Sequence, residues 1–259
     1  MIIALDLDGT LLRSDKTVST RTDLALEKVQ KHGHRFIVAT ARPPRTADQL
    51  VGSRLPDAPR VYYSGAMVRI GSEQVYNQTI PIAAAQSILR TLASIAPTDT
   101  PISYEIDDHL YANQPLTAYH GMPQVHSLVD LLAPLERPPV KIIIDLTHID
   151  DPEPLLAELP NDVKCVVADG VIAMIMSHKV SKAAGIGIVL DRWSTAFDQV
   201  AAIGDDLSDQ DMIEQAAIGI AMENGHEKVK AIADRIAPGN DEDGVAIILE
   251  QMIEEGLLA

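Results

Sequence analysis

The sequence predicts an α/β protein, a doubly wound parallel sheet with a smaller α+β unit inserted into it. Short apolar runs alternate with segments of helical length: Ile2-Ile3-Ala4-Leu5, Phe36-Ile37-Val38-Ala39 and Val200-Ala201-Ala202-Ile203. Aromatic residues make up only 3% of the 259, so the core must be aliphatic, which suits strands covered by helices on both faces. The alternation lapses between about residues 81 and 176 and then resumes, the mark of an insertion.

In order, a first buried strand at Ile2–Leu5 runs into Asp6-Leu7-Asp8-Gly9-Thr10. Ser19 or Thr20 caps a helix that ends at Gly33. The second strand, 36–39, ends at Thr40, and Pro43-Pro44 breaks the chain before a short helix over Thr46–Val51. A third strand, Val61–Tyr63, is followed by alternating residues 66–76, read as a hairpin around Gly71-Ser72. The inserted stretch reads as a helix over 82–96, strands near Tyr104 and Tyr111, a helix at Gln124–Leu132 and a strand at Val140–Leu146. Asp151-Pro152 then opens a helix, and two strands flank a turn at Asp169-Gly170. The parallel pattern returns with a helix at Ser181–Leu190, a strand at 200–203 and a helix at Leu207–Ala216. A strand at Ile218–Ile220 and helices at Glu227–Ala233 and Gly244–Ile253 complete it. The expected domains are a core of residues 1–80 and 177–259 and an inserted unit of 81–176.

Formal net charge is −16, which argues against a nucleic-acid partner and means that any phosphate site must carry its own local cations. Cys165 is the only cysteine, so no intrachain disulfide forms, as suits a reducing cytoplasm. Asp6 interrupts the first apolar stretch with no basic segment before it, so no signal peptide is expected, and no uncharged run is long enough to span a bilayer. The expectation is a cytoplasmic protein, monomer or homodimer, with neither membrane nor nucleic acid as partner.

The chemistry-bearing residues sit where buried strands end, the place where open parallel sheets bind ligands. Asp6 and Asp8 alternate to one side of the first strand's exit, and two close carboxylates divide naturally into a nucleophile or ligand and a proton donor. A plain strand-to-turn signal would also use Asp-Gly. Asp205, Asp206 and Asp209 form an acidic knot after the 200–203 strand, a hard oxygen set suited to Mg²⁺; helix capping by Asp206, Ser208 or Asp209 is the alternative. Thr40 offers a hydroxyl and a backbone N–H to a phosphate oxygen, or is a polar strand end. Arg42 and Arg45 supply local positive charge or are solvated loop residues. Lys179 and Lys182 flank a helix start, where a lysine neutralises phosphate or simply lies on the surface.

Taken in order, Asp6-Leu7-Asp8-Gly9-Thr10, Thr40-Ala41-Arg42, Val180-Ser181-Lys182 and Gly204-Asp205-Asp206-Leu207-Ser208-Asp209 resemble the haloacid dehalogenase superfamily phosphatases, in particular the Cof-type (subfamily IIB) branch. Ala221-Met222-Glu223-Asn224 and Asp243-Gly244-Val245-Ala246 resemble the same branch. Both core segments are covered; the inserted unit is matched in length, position and element order. Ala41, Ser64 and Ser208 depart from the branch's usual Gly, Asn and Asn, and the two serines replace amides that line the site and support the metal.

The resemblance implies an α/β core of Rossmann-like topology with an inserted C2-type cap, and a Mg²⁺-dependent phosphatase of small phosphorylated metabolites, sugar phosphates first. It implies that Asp6 attacks phosphorus to give an aspartyl-phosphate, and that Asp8 serves as acid and then base. It implies further that Mg²⁺ is held by Asp6, by the backbone carbonyl of Asp8 and by Asp205, with Asp209 near or behind the ion, while Thr40, Lys182 and Arg42 hold the phosphate. The cap selects the leaving group, with Arg42, Arg45, His109, Tyr111 and Lys141 as candidate selectors. A phosphomutase or phosphotransferase on the same fold would share Asp6 and Asp8. A binding or regulatory protein without turnover is the alternative that Ser64 and Ser208 favour. A receiver-type phospho-acceptor fits neither the length nor the insertion.

Overall fold

The computed structural model of the chain describes residues 1–116, 126–168 and 171–258. Two compact units emerge: Met1–Tyr76 with Ser181–Ala259, and Asn77–Val180. The first stretch of chain forms β1 (Ile2–Leu5), α1 (Thr20–Lys31), β2 (Arg35–Ala39), α2 (Pro44–Val51), β3 (Arg60–Tyr62), β4 (Met67–Ile70) and β5 (Glu73–Asn77). Then come α3 (Ile82–Ile95), β6 (Ile102–Ile106), β7 (His109–Ala112), β8 (His126–Leu128), β9 (Lys141–Asp145), α4 (Glu153–Ala157), β10 (Val163–Ala168) and β11 (Ile172–Ser177). The last stretch holds α5 (Lys182–Arg192), β12 (Val200–Gly204), α6 (Gln210–Gln215), β13 (Ile218–Met222), α7 (Glu227–Lys230), β14 (Arg235–Ala237) and α8 (Gly244–Glu254).

The first unit is an eight-stranded sheet in the order β14-β13-β12-β1-β2-β3-β4-β5. Strands β14 through β3 run parallel, and β4 turns back antiparallel to β3. All four residues of β1 are buried, so both its faces are covered, which explains the unbroken aliphatic run. Placing β1 between β2 and β12 makes it the point where the strand order reverses, and it aligns the carboxyl ends of all three at one edge. Helix α1 forms because Ser19 Oγ accepts from Thr22 N and because Thr22, Ala25, Leu26 and Val29 fall on one face at helical spacing.

Two expectations need correction in this unit. The helix read over Glu227–Ala233 stops at Lys230, because Asp234 pins the chain to the start of β13: its N–H donates to Gly219 O at 2.8 Å and its carboxylate accepts from Gly219 N at 2.7 Å. That anchor launches β14, a three-residue edge strand absent from the sequence reading. The strand read as Val61–Tyr63 ends at Tyr62, since Tyr63 already has φ of +51°.

The second unit is a six-stranded sheet, β10-β11-β9-β6-β7-β8, antiparallel except for β7 with β8. Helix α3 buries Ala85, Ile88, Leu89 and Leu92 in one core with Ile102, Ile142, Ile144, Ala173 and Ile175. The helix expected at Gln124–Leu132 is overturned: Gln124 and Val125 lie outside the described residues, and His126–Leu128 is strand. The open edge of β7 recruits it, pairing Leu110 with His126 and Ala112 with Leu128, while Val129 N donates to Ala112 O. Ladder bonds to a waiting edge outweigh a weak helical pattern. The turn expected at Asp169-Gly170 also lies outside the described residues; β10 and β11 on either side pair antiparallel.

Candidate active site

Asp6 follows β1, and its N–H continues the ladder by donating to Ile203 O at 3.1 Å. Asp205 follows β12 on the neighbouring strand. Adjacent parallel strands thus bring together two carboxylates that lie far apart in sequence. Asp209 joins them from the turn that precedes α6, and the three offer carboxylate oxygens that lie within 4.8 Å of one another. Gly9 makes the approach possible. It has φ of +75°, and a Cβ there would lie 2.1 Å from Asp205 Oδ2.

Lys182 stands inside this cluster. Ser181 Oγ caps α5 by accepting from Ala184 N at 3.1 Å, and Lys182 is the first helical residue, only 2% exposed. Its Nζ donates to Asp6 Oδ1 and to Asp209 Oδ1, both at 2.5 Å. Asp209 Oδ2 accepts from the backbone N–H groups of Asp205 and Asp206, at 3.0 Å each. Capping and site-building, alternatives in the sequence, are therefore the same set of bonds at Asp209. Thr10 Oγ1 donates to Asp205 Oδ1 at 2.9 Å. Asp6 and Asp205 each keep a second oxygen that receives no hydrogen bond among the described residues.

Burial raises the Asp6 carboxyl well above its ordinary range, and the charges of Asp209 and Asp205 add to this against the pull of Lys182. Burial, then Asp209, pushes Asp205 up to about 7. Burial alone would lower Lys182, but Asp209 and Asp6 outweigh it and hold the ammonium charged. The cluster therefore has more negative charge than one lysine can balance. Hard oxygen donors in excess of local positive charge are what a small divalent cation such as Mg²⁺ requires, so the residues present fit such an ion.

Asp8 faces different partners. Arg42 grips it with Nε on Oδ2 at 2.5 Å and a terminal nitrogen on Oδ1 at 2.6 Å, and Lys16 Nζ reaches Oδ1 at 2.9 Å. Burial raises the Asp8 carboxyl, but the bonds and charges of Arg42 and Lys16 prevail and leave it below its ordinary value. Thr40, 1% exposed, follows β2, and its Oγ1 accepts from Arg42 N at 3.1 Å, which leaves the hydroxyl hydrogen for another acceptor. Its backbone N–H, expected to serve a phosphate oxygen, instead donates to Val61 O at 2.8 Å as the ladder of β3 continues past β2. Lys16 went unremarked in the sequence; a single lysine in a polar loop carries no signal. Asn224 donates from Nδ2 to Gly9 O at 2.9 Å, which ties the quoted Ala221–Asn224 stretch to the first loop.

Lys179 is exposed. His109, Tyr111 and Lys141 belong to the second unit, where Tyr111 stacks on Tyr104 at 5.3 Å and buried Lys141 pairs with Glu105 at 3.4 Å.

The excess charge makes stability depend on pH. Asp205 has a folded pKa of about 7 against an ordinary 3.8, so the folded protein holds a proton that the unfolded chain has released. Its stabilising contribution is complete below about pH 4 and is lost as pH rises toward 7. In EDTA, the melting temperature is expected to fall over that interval, and Asp205→Asn to flatten the fall. Parallel profiles for the two proteins would show that Asp205 does not titrate in this way.

Residues 3–249 match the haloacid dehalogenase-like hydrolase family. The chain is 29% identical over 270 residues to the 5-amino-6-(5-phospho-D-ribitylamino)uracil phosphatase YitU of Bacillus subtilis (strain 168), with 96% of each covered. A haloacid dehalogenase-like hydrolase from Bacteroides thetaiotaomicron superposes with a TM-score of 0.83 at 25% identity, over 97% of this chain and 98% of that one. The HAD subclass IIB sugar phosphatase BT4131 shares the fold at a TM-score of 0.82 and 21% identity, over 98% of both chains. No helix among the described residues is long and apolar enough to cross a membrane. With family, fold and phosphatase relatives in agreement, this chain belongs to the haloacid dehalogenase-like hydrolase family and is a phosphoric monoester hydrolase.

Proposed function

We propose that this phosphatase uses Mg²⁺ to hydrolyse small phosphate monoesters, sugar phosphates first, through an aspartyl-phosphate on Asp6. The supporting observation is the convergence of Asp6, Asp205 and Asp209 around buried Lys182. Asp6, Asp205 and the main-chain carbonyl of Asp8 would hold the ion, with Asp209 behind them, since both its oxygens are already engaged. When bound, Mg²⁺ supplies positive charge that offsets repulsion between the Asp6 carboxylate and an incoming phosphate.

Lys182 has three donors and spends two on Asp6 and Asp209, so one remains for a phosphate oxygen. Thr40 offers its hydroxyl hydrogen to another. Asp6 attacks phosphorus, the ester oxygen leaves with a proton from Asp8, and Asp8 then takes a proton from the water that cleaves the acyl phosphate. The second step suits Asp8 as found, ionised between Arg42 and Lys16. The first needs it protonated. Transfer of Arg42 from Asp8 to the arriving phosphate would remove the strongest interaction that lowers its pKa and would add a cation to the bound anion. One event then serves binding and acid catalysis in a chain of net charge −16.

The test is phosphate release from a panel of sugar phosphates, phosphorylated cofactors and nucleotides, with Mg²⁺ and with EDTA, run in ¹⁸O-water. Mg²⁺-dependent release with label in the phosphate is the expected result. Transfer of the phosphoryl group to a sugar without label would identify a phosphotransferase instead.

A further inference from the structure

Tyr63, Ser64 and Gly65 follow β3 in succession with φ of +51°, +53° and +105°. All three are buried, and two carry side chains that disfavour this backbone region. A run of left-handed residues persists only where its surroundings hold it, and it is a common feature of functional sites.

Here the strained turn touches the site on two sides. Tyr63 N donates to Arg42 O at 3.1 Å and Ser64 N to Thr40 O at 2.9 Å, so consecutive amides fix both ends of the Thr40-Ala41-Arg42 loop. Gly65 meets the start of α5: a Cβ on it would lie 1.8 Å from Ser181 O, and one on Gly185 would lie 3.0 Å from Gly65 Cα. Helix α5 begins with Lys182. The turn is thus the shared support of the two elements that carry Thr40 and Lys182.

We propose that Ser64 is a positioning residue whose left-handed backbone, and not its hydroxyl, sets Thr40 and Lys182 in register for one phosphate group. This rests on the phosphate-holding roles proposed above for those two residues. Gly adopts the required φ freely, whereas a β-branched residue resists it.

The experiment compares Ser64→Gly, Ser64→Ala and Ser64→Val, first checked as folded by circular dichroism. It reads kcat and KM on the best ester from the panel, and calorimetric binding of inorganic phosphate with Mg²⁺ present. Ser64→Gly is expected to stay within about twofold of the unaltered protein in kcat and phosphate affinity. Ser64→Val is expected to lose on the order of 10²-fold in kcat, as misplaced groups do, with a smaller change in KM. Ser64→Ala falls between them and carries the comparison if the valine variant does not fold. Equal damage from Gly and Val would make the hydroxyl the active feature and overturn the proposal, as would a folded valine variant with full kcat. If no ester is turned over, the phosphatase reading fails while phosphate binding still ranks the variants. A protein that binds no phosphate at all overturns both.

Discussion

Asp6→Asn is expected to abolish phosphate release, by on the order of 10⁴-fold or more, without unfolding the protein. The amide keeps the shape of the side chain and an oxygen that accepts from Lys182 Nζ, so the hydrogen bond at Asp6 Oδ1 survives. What disappears is the anion proposed as the nucleophile. Burial already raises the Asp6 carboxyl, with Asp209 and Asp205 adding to the effect, so an uncharged group relieves repulsion inside the cluster. In EDTA the variant should therefore melt at the same temperature as the unaltered protein or above it. With Mg²⁺, bound as proposed, the order is expected to reverse. An ion that binds only the folded state adds about 2.7 kcal/mol at a hundredfold excess over its Kd. For a chain of this size that is a rise of roughly 5–10 °C. Asp6→Asn should show a smaller rise, because one proposed ligand is weakened. Phosphate release and melting curves with and without Mg²⁺ check both halves. Normal turnover by Asp6→Asn would remove the nucleophile assignment and, with it, the covalent route.

The parts of this site that sequence reveals are those whose residue type and position are locally constrained. β1 is legible because four consecutive aliphatic residues have no use except burial, and Asp6 and Asp8 stand out because carboxylates so close to a core need a reason. The Asp205–Asp209 knot is legible for the same cause. The neighbourhood of β1 and β12, which brings Asp6 to Asp205, is a property of strand order and is not written in either segment. Lys16 reaches Asp8 only because the loop after β1 folds back, with Leu12 N on Leu7 O and Arg13 N on Thr17 O, and because Lys16 itself takes a φ of +66°. The grip of Arg42 on Asp8 likewise joins the ends of two strands. β8 and β14 were illegible because each has three residues and exists by pairing with an edge offered by another part of the chain. Asp209 shows the opposite limit: the sequence posed capping against metal binding as alternatives, and one carboxylate with two oxygens serves the backbone on one side and Lys182 on the other.

Lys182→Met should be the most destabilising single change in the site, by about 3–5 kcal/mol in EDTA at neutral pH. Methionine fills similar volume, so the loss is electrostatic rather than a cavity. Asp209 is fully buried and Asp6 is 4% exposed, and without the ammonium their charges face each other in a medium that solvates neither. Protonation is the remaining escape. Both Asp6 and Asp205 already titrate above the ordinary carboxylate range, and removal of Lys182 raises Asp6 further, since that lysine is what lowers it. The variant should therefore lose stability more steeply than the parent between about pH 4 and pH 7, and approach it at the acid end. Urea unfolding at pH 5 and pH 8 reads this difference. Adding Asp209→Asn to Lys182→Met removes one uncompensated charge, so the double variant should recover much of the lost stability while staying inactive for want of the phosphate-facing ammonium. Equal stability of Lys182→Met and the parent at both pH values would mean that the carboxylates are not held ionised against this lysine, and then neither a cation site at Asp6 nor a spare Nζ donor for phosphate follows from the geometry.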